Sequence, residues 1–388
     1  MIDAWNDQGF DDVGSDHMDF GPAVFDDRLA RTRAAARAAG IDALLVTPGS
    51  DLRYLTGYDA LPLERLTCLV LPADGPTRLV VPALERPAAL ESPASQLDLE
   101  IRDWPETEDP VELVASMLPG ARRVGLNDHM WAEKVLRFRS AMPDAEQVLA
   151  GEVLSELRMR KDAAEVDALR EAGQAIDRVH ARISEWLRPG RTEAEVGRDI
   201  AEAIVAEGHV RADFVIVASG PNGASPHHEA GERVIERGDA VVIDIGGTTA
   251  AGYCSDETRT YVIGEPPDGF AERYDVLVRA QEAAVEHVRP GVSTESVDTV
   301  ARDVLTDAGL GEYFIHRIGH GIGMDTHEAP YLVDGNTSPM EPGMTFSIEP
   351  GFYIPGQYGA RIEDIVAVTD TGVERLNTRP REMTVLHA

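Results

Sequence analysis

Cysteine and long apolar runs are both scarce in this chain of 388 residues. Cys68 and Cys254 are its two cysteines, which is too few for a disulfide framework and gives no zinc-knuckle spacing. No apolar run approaches the roughly 18 residues of a membrane span. Residues 1–20 contain many acids and no Lys or Arg, unlike a secretion signal. We therefore expect a cytoplasmic protein without a membrane segment, whose residues 1–22 form an acidic, disordered tail.

Basic residues are outnumbered by acids almost two to one. The chain has 36 Lys and Arg against 68 Asp and Glu, for a formal net charge of −32. Binding to nucleic acid or to an anionic membrane surface requires clustered basic residues, because phosphates are negatively charged. The composition therefore argues against both as partners.

Helix and strand signals divide the rest of the chain into two α/β parts. A helical pattern ending at Gly40 precedes the buried strand IDALLVT, and two further strands flank a turn at 74–76. From Gly151 onward the sequence becomes helical, with apolar residues three and four apart. We predict an N-terminal domain at 23–155, without a chemical motif of its own, and a second domain at 156–388.

The second domain contains two copies of one pattern. RPGRTEAEVGRDIAEAIVAEGH and RPGVSTESVDTVARDVLTDAGL share an Arg-Pro-Gly entry, apolar positions and a terminal glycine, and Thr192 and Glu195 predict a capping box. Further on, RGDAVVIDIGG aligns with EPGMTFSIEPG, so that Asp244 matches Glu349 at an offset of 105 (349 − 244). The repeat predicts two related halves whose pseudo-twofold pairing brings their acids together.

Each copy reaches a second acid in a following β segment. Asp256 in YCSDETRT and Glu363 in ARIEDIV lie 12 and 14 residues after the first acids, which suits hairpins that place two carboxylates side by side. Ionised carboxylates are rarely buried unless they are paired or metal-bound, and each raises the pKa of the others. Two divalent cations about 3.5 to 4 Å apart would neutralise such a cluster, ionise a shared water and polarise a carbonyl.

Imidazole is concentrated near the same acids. FIHRIGHGIGMDTHEAP contains His316, His320 and His327, and SGPNGASPHHEAG contains His227 and His228. A histidine in an apolar setting is more often a satisfied core residue than a ligand, but these two loops hold five of the eleven histidines. We predict that His320 completes a ligand set with the four acids. One imidazole among oxygen ligands favours Mn²⁺, with Co²⁺, Zn²⁺ or Fe²⁺ as alternatives.

In combination, these motifs resemble those of the pita-bread metallopeptidases, which include prolidase (Xaa-Pro dipeptidase), aminopeptidase P, methionine aminopeptidase and the metal-free creatinase. The matching segments are SGPNGASPHH, VVIDIGG, GYCSDETRT, HRIGHGIGMDTHE, SIEPGFYIPG and GARIEDIV. The likeness covers nearly the whole chain and implies a creatinase/prolidase N-terminal domain ahead of a pita-bread catalytic domain. It implies hydrolysis of the Xaa-Pro bond of dipeptides or short peptides through a metal-bridging hydroxide, in a homodimer formed through the N-terminal domain.

The resemblance also implies a role for each matching residue. The metal ligands are then Asp244 on one ion, His320 and Glu349 on the other, and Asp256 and Glu363 as bridges. Positions that match residues of the substrate site are His227, His316, His327, Tyr353 and Arg361. Glu349 would also carry a proton from the bridging water to the leaving amine. His227 would contact the substrate, and His327 would stabilise the oxygen of the tetrahedral intermediate.

Two positions depart from the family pattern. Asp244 and Asp256 are 12 residues apart instead of eleven, and a slip in strand register would turn Asp256 away from the site. Tyr331 stands where some prolidases carry an arginine that binds the carboxylate of the dipeptide. A hydrolase or lyase of the same fold, acting on a small non-peptide metabolite, is therefore the alternative function.

Other chemically active residues are interpreted as structural. Cys254 is expected to be a small buried residue, Arg259 to pair with a strand acid, and Asp364 to face away from the site because neighbouring strand residues alternate. GHGIG lacks the helix and acid of a dinucleotide-binding loop. A binding protein that has lost catalysis is disfavoured, because all five ligand positions are filled.

Overall fold

The computed structural model describes residues 20–387, and its first residues fall within the predicted tail. Residues 1–19 of that tail lie outside the described range. Phe20, in contrast, is buried against Tyr253, with 5.6 Å between the ring centroids, and Pro22 begins a helix. Residues 20–22 therefore belong to the folded part of the chain, and the acidic tail before them remains a prediction.

Ten α-helices form within residues 20–387: α1 (Pro22–Ala38), α2 (Ser50–Thr56), α3 (Arg86–Glu91), α4 (Pro110–Ser116), α5 (Ala132–Ala141), α6 (Gly151–Arg158), α7 (Ala163–Ala181), α8 (Glu193–Ala206), α9 (Phe270–His287) and α10 (Thr294–Asp307). The strands of the same range are β1 (Ala43–Val46), β2 (Cys68–Pro72), β3 (Thr77–Pro82), β4 (Leu99–Trp104), β5 (Arg123–Leu126), β6 (Glu146–Leu149), β7 (His209–Ser219), β8 (Ala240–Thr249), β9 (Glu257–Ile263), β10 (Gly319–Gly321), β11 (Glu328–Leu332), β12 (Thr345–Ile348), β13 (Gly351–Ile354), β14 (Tyr358–Arg361), β15 (Asp364–Val368), β16 (Val373–Arg375) and β17 (Thr384–Leu386).

The first six strands form one mixed sheet, in the order β4-β3-β2-β1-β5-β6. The central strand β1 pairs antiparallel with β2 and parallel with β5, and all four of its residues are buried. Leu44 and Val46 contact the core under α1, α2 and α6, whereas Ala43 and Leu45 contact the core under α4 and α5. The continuous apolar run ALLV thus reflects a strand covered by helices on both faces.

Two sheets and a hairpin form the rest of the molecule. The first sheet has the order β17-β9-β8-β7 and the second the order β11-β10-β12-β15-β16, with β13 and β14 as a separate hairpin. Helices α7 and α8 pack on the first sheet, and α9 and α10 pack on the second. The uncovered faces of the two sheets meet along β9 and β15. In the part of the chain that the structure describes, no helix has the length and apolar character needed to cross a bilayer.

The sequence repeat corresponds to a structural repeat. Helices α8 and α10 each contain 14 residues and follow left-handed glycines, Gly190 at φ 89° and Gly291 at φ 88°. Gly238 at φ 91° and Gly343 at φ 87° precede β8 and β12 in the same way. Any residue with a Cβ is strained at these angles. The matched glycines therefore show that the two halves have the same backbone conformation at these positions. The predicted capping box at the start of α8 is present.

Candidate metal centre

The hairpin of β8 and β9 directs two acids to one face of the first sheet. Asp244 pairs with Thr258 and Thr248 with Cys254, so the register continues unbroken to the turn and places Asp256 opposite Gly246. Because side chains alternate along a strand, Asp244, Gly246, Asp256 and Thr258 share one face. The twelve-residue spacing is therefore accommodated in the turn, where Gly252 has φ 90°, and not by a register slip.

The second half brings its two acids together differently. Ile348 pairs with Asp364 and Gly351 with Arg361, so Glu349 and Glu363 face each other at the junction between β12–β15 and β13–β14. The halves are joined there, because the Glu363 backbone N–H donates to the Thr258 carbonyl at 3.1 Å. The Thr258 hydroxyl donates to Glu363 Oε2 at 2.7 Å. Thr258 had no distinguishing signal in the sequence.

All five predicted ligands converge at this junction. Three groups of side chains have ligand atoms within 4.8 Å of one another: Asp244, Asp256 and Glu363; His320, Glu349 and Glu363; and Asp256, His320 and His327. Glu363 belongs to two of these groups, and Asp256 also belongs to two. The donor set therefore suits two adjacent cations that share carboxylates.

The acids are buried in a setting that opposes their negative charge. Burial, then the charges of Glu363, Asp244 and Glu349, holds the pKa of Asp256 well above its usual value. Burial, followed by Glu349 and Asp244, does the same to the pKa of Glu363, and burial raises the pKa of Glu349 to about 7. Asp244 Oδ1 is buried without a hydrogen-bond partner among the described residues. Both observations fit a site for divalent cations, which would supply the missing positive charge.

His320 is oriented as a nitrogen ligand. Its Nδ1 donates to the Gly321 carbonyl at 3.1 Å, which leaves the Nε2 lone pair 3.3 Å from Glu349 Oε1 and 3.7 Å from Asp256 Oδ2. Burial, and then His327, lowers the pKa of His320 to about 3, so the ring is neutral. A metal-binding imidazole is usually held in orientation by a hydrogen bond from its other ring nitrogen to a backbone carbonyl or a carboxylate.

The glycines around His320 serve close backbone approach. A Cβ on Gly319 would lie 1.9 Å from the Ser347 carbonyl oxygen, and one on Gly321 would lie 2.2 Å from that of Ala329. In the described part of the chain, several glycines have a positive φ, but Gly319 and Gly321 are not among them. Backbone strain is therefore not the reason for glycine at these two positions. Close contact between neighbouring strands therefore leaves no room for a side chain at either position.

Three of the predicted substrate-site residues form one hydrogen-bonded chain that ends on Asp244. Arg361 donates to Asp244 Oδ2 at 2.6 Å and to the Tyr353 hydroxyl at 2.8 Å. That hydroxyl donates to His316 Nε2 at 2.8 Å, because His316 Nδ1 is committed to the Arg317 carbonyl. Burial raises the pKa of Tyr353 to about 12 and, with the charge of Arg361, lowers that of His316 to about 4. The chain therefore fixes Asp244 without adding a titration near neutral pH.

The remaining two histidines lie at the open side of the centre. His327 is exposed, and the centroid of its ring lies 4.0 Å from that of His320. The part of the ring that is buried, and then the charge of Arg317, lowers the pKa of His327. His227 is exposed on the neighbouring loop. That loop is held by the buried Glu193, which sequence reasoning missed. Glu193 accepts hydrogen bonds from four residues of the loop, Ser219, Asn222, His228 and Gly231.

The structural interpretations of three neighbouring residues agree with their contacts. Arg259 donates to Asp364 Oδ1 at 2.6 Å and lies 3.0 Å from Glu257, so Asp364 faces away from the metal ligands. Cys254 is buried, and burial raises the pKa of its thiol to about 11. None of the three reaches the open side of the site.

Comparison with known proteins identifies the family to which this architecture belongs. Residues 167–370 match metallopeptidase family M24, and residues 28–160 match the creatinase/prolidase N-terminal domain. The chain is 54% identical over 368 residues to the probable dipeptidase PepE of Mycobacterium tuberculosis, covering 95% of this chain and 98% of that one. It is 36% identical over 358 residues to the Xaa-Pro dipeptidase of Lactobacillus delbrueckii subsp. lactis, covering 89% and 95%.

A solved structure extends the likeness to three dimensions. The crystal structure of dipeptidase PepE from Mycobacterium ulcerans superposes with a TM-score of 0.91 at 55% identity, covering 95% of this chain and all of that one. The predicted α/β fold, with a pseudo-twofold pita-bread catalytic domain behind a creatinase/prolidase domain, is confirmed. The chain therefore belongs to metallopeptidase family M24.

Proposed function

We propose that this peptidase cleaves the Xaa-Pro bond of dipeptides or short peptides at a centre of two divalent cations, with Mn²⁺ as the preferred ion. The observation that carries the proposal is the convergence of five ligands in overlapping groups that share Glu363 and Asp256. Two cations held there by these five residues would supply a water-derived nucleophile at neutral pH and a Lewis acid for the scissile carbonyl. A relative that matches over most of its length is an Xaa-Pro dipeptidase.

The chain's own residues divide the remaining tasks. Glu349 accepts the proton of the attacking water and returns it to the leaving prolyl nitrogen, a role that suits a carboxylate placed among the other ligands. His327, exposed beside His320, donates to the oxygen of the tetrahedral intermediate. His227 contacts the substrate from the loop that Glu193 holds. Tyr353 and Arg361 keep Asp244 in position and form the wall of the site.

A panel of peptides tests the proposal. The Mn²⁺-loaded protein is expected to release proline from Xaa-Pro dipeptides and to leave matched Xaa-Ala dipeptides nearly untouched. Turnover of Xaa-Ala at the same rate would contradict the proline specificity. Failure to cleave any peptide would favour the alternative, a small non-peptide substrate with a C–N bond, which is suggested by the uncharged Tyr331 where some prolidases carry a carboxylate-binding arginine.

We also propose that the protein is a cytoplasmic homodimer that associates through its N-terminal domain. The support is the presence of several exposed apolar side chains on that domain, including Leu61, Trp131 and Leu136. Sedimentation velocity should give twice the mass of one chain. A monomer at micromolar concentration would refute the dimer.

A further inference from the structure

A dipeptidase has to bind the carboxylate that lies one residue beyond the scissile bond, and this requires a positive charge near the ligands. This inference rests on the function proposed above. Arg361 is not available for the task, because it is fully engaged by Asp244 and Tyr353 and is only 2% exposed. His316 is not available either, because its two ring nitrogens are engaged by the Arg317 carbonyl and the Tyr353 hydroxyl. Another cation is therefore needed at the mouth of the site.

Arg317 is a cation with no assigned partner. Its guanidinium lies over the ring of Tyr331, 4.5 Å from the centroid, and the side chain is partly buried. No described residue forms an ion pair or a side-chain hydrogen bond with it. In a chain with 68 acids for 36 basic residues, a partly buried arginine without a carboxylate is unusual. Its five N–H donors remain free for a ligand.

The position of Tyr331 places this guanidinium beside the metal ligands. Tyr331 on β11 is the cross-strand partner of His320 on β10, and cross-strand partners project from the same face of a sheet. Through Tyr331, the Arg317 guanidinium is therefore placed beside the strand position of the ligand His320.

We propose that Arg317, stacked on Tyr331, binds the free α-carboxylate of a dipeptide substrate and so selects dipeptides over longer or amidated peptides. Tyr331 then does not remove the carboxylate-binding charge from the site. It provides an aromatic face that holds an arginine supplied from position 317, on the segment leading into β10. Bidentate contact of a planar guanidinium with a carboxylate is both strong and directional.

The test compares each Xaa-Pro dipeptide with its C-terminal amide. Wild-type protein is expected to favour the free acid by about 100-fold in kcat/KM, as loss of a charge-assisted bidentate contact implies. Arg317→Gln should lower kcat/KM for the acid about 100-fold, mainly through KM, and change that for the amide by less than about threefold. Arg317→Lys should recover part of the loss, Tyr331→Phe should behave as wild type, and Tyr331→Leu should show an intermediate defect.

A binding measurement makes the test independent of turnover. Calorimetry with an uncleavable Xaa-Pro analogue, in which the scissile carbonyl is reduced to a CH₂ group bonded to the proline ring nitrogen, should show the same loss for Arg317→Gln with the acid and none with the amide. Equal losses for acid and amide, or a wild type that does not distinguish them, would overturn the role of Arg317. If wild type cleaves no Xaa-Pro peptide at all, the proposed function fails, and the calorimetric comparison still decides whether Arg317 binds a carboxylate.

Discussion

At the scale of single residues, two adjacent acids at the centre of the molecule have opposite roles. Glu363 faces the other ligands, whereas Asp364 faces Arg259 and Gln281. Glu363→Gln removes one charge from a crowded cluster, so the metal-free variant should be at least as stable as the wild type. It should nevertheless lose metal binding and activity together.

The matched variant Asp364→Asn should behave in the reverse way. It breaks a buried pair and leaves Arg259 without its closest carboxylate, which we expect to lower the free energy of unfolding by about 3 to 5 kcal/mol. Urea unfolding and metal analysis of both proteins check the pair. A Glu363→Gln protein that keeps its metal, or an Asp364→Asn protein of wild-type stability, would contradict these assignments.

The raised pKa of Glu349 predicts a pH dependence for the metal-free protein. Between its usual value of 4.5 and about 7, folded Glu349 holds a proton that the unfolded chain has released. The stability contributed by this group therefore falls as pH rises through that window, by up to about 3 kcal/mol. The unfolding free energies of wild type and Glu349→Gln are measured without metal and subtracted. The histidines titrate in both proteins, so their contribution cancels and the difference reports on Glu349. If the difference in unfolding free energy between the two proteins does not change between pH 4.5 and 7, the pKa of Glu349 is not raised.

Residue-scale chemistry was predictable from the sequence where it had a repeated or clustered signal. The four acids were visible as charges in apolar strands at matching register, and His320 by its place among glycines and histidines. Thr258 and Glu193 were not predictable, because a threonine in a strand and a glutamate at a helix start are common and their partners are distant in sequence. Only the fold brings Glu193 to a loop 26 residues away.

At the scale of secondary-structure elements, the segment that carries His327 is anchored by two basic residues that precede α7. Lys161 Nζ lies 2.6 Å from Glu328 Oε1, and Arg158 donates to Asp51 and Asp325 at 2.7 Å. The Lys161 side chain is 1% exposed, so its pair is shielded from solvent. These contacts tie the loop between β10 and β11 to α2 and α6, and so fix the side of the site on which His327 lies.

Replacing one of these anchors should affect both stability and catalysis. Lys161→Met leaves the acids of the network with Arg158 alone, and we expect a loss of about 3 kcal/mol in unfolding free energy and an about tenfold lower kcat/KM at unchanged metal content. The matched control is Arg160→Gln, whose side chain is 36% exposed and pairs with Glu341, and which should cost less than about 1 kcal/mol. Equal effects of the two variants would show that Lys161 has no special role.

The elements themselves were largely predictable, but their contacts were not. The repeat, the capping box of α8 and the first three of the six strands in the N-terminal sheet follow from spacing and from Gly and Pro positions. The sequence left open whether the twelve-residue spacing would turn Asp256 away, because register depends on pairing along the whole of β8 and β9. The close contact behind Gly319 and Gly321 likewise depends on strands that are distant in the chain.

At the scale of the whole molecule, the predicted domain boundary is not a flexible linker. One apolar core contains Phe25 and Leu44 from the N-terminal part together with Leu169, Tyr253 and Ile365 from the catalytic part. The bounds 23–155 and 156–388 remain a prediction. Residues from both sides of the predicted boundary pack in the same core. The two parts are therefore expected to fold as one unit.

A buried polar network on α1 provides a probe of this unity. Arg28 is 1% exposed, donates to the Tyr54 carbonyl and the Tyr253 hydroxyl at 3.1 Å, and lies 3.4 Å from Glu165. Arg28→Met would leave Glu165 buried without its cation, which should cost about 3 to 5 kcal/mol. Calorimetry should show one transition for both proteins, shifted to lower temperature in the variant. Two resolved transitions, with only the first shifted, would show that the parts unfold separately.

The most direct test of the metal centre is a count of bound ions. Protein that has been loaded with Mn²⁺ and dialysed should retain two ions per chain by elemental analysis, and Glu363→Gln should lose them under the same conditions. Retention of no divalent ion by the wild type, or an ion content that Glu363→Gln leaves unchanged, would contradict a two-metal centre built from these five side chains.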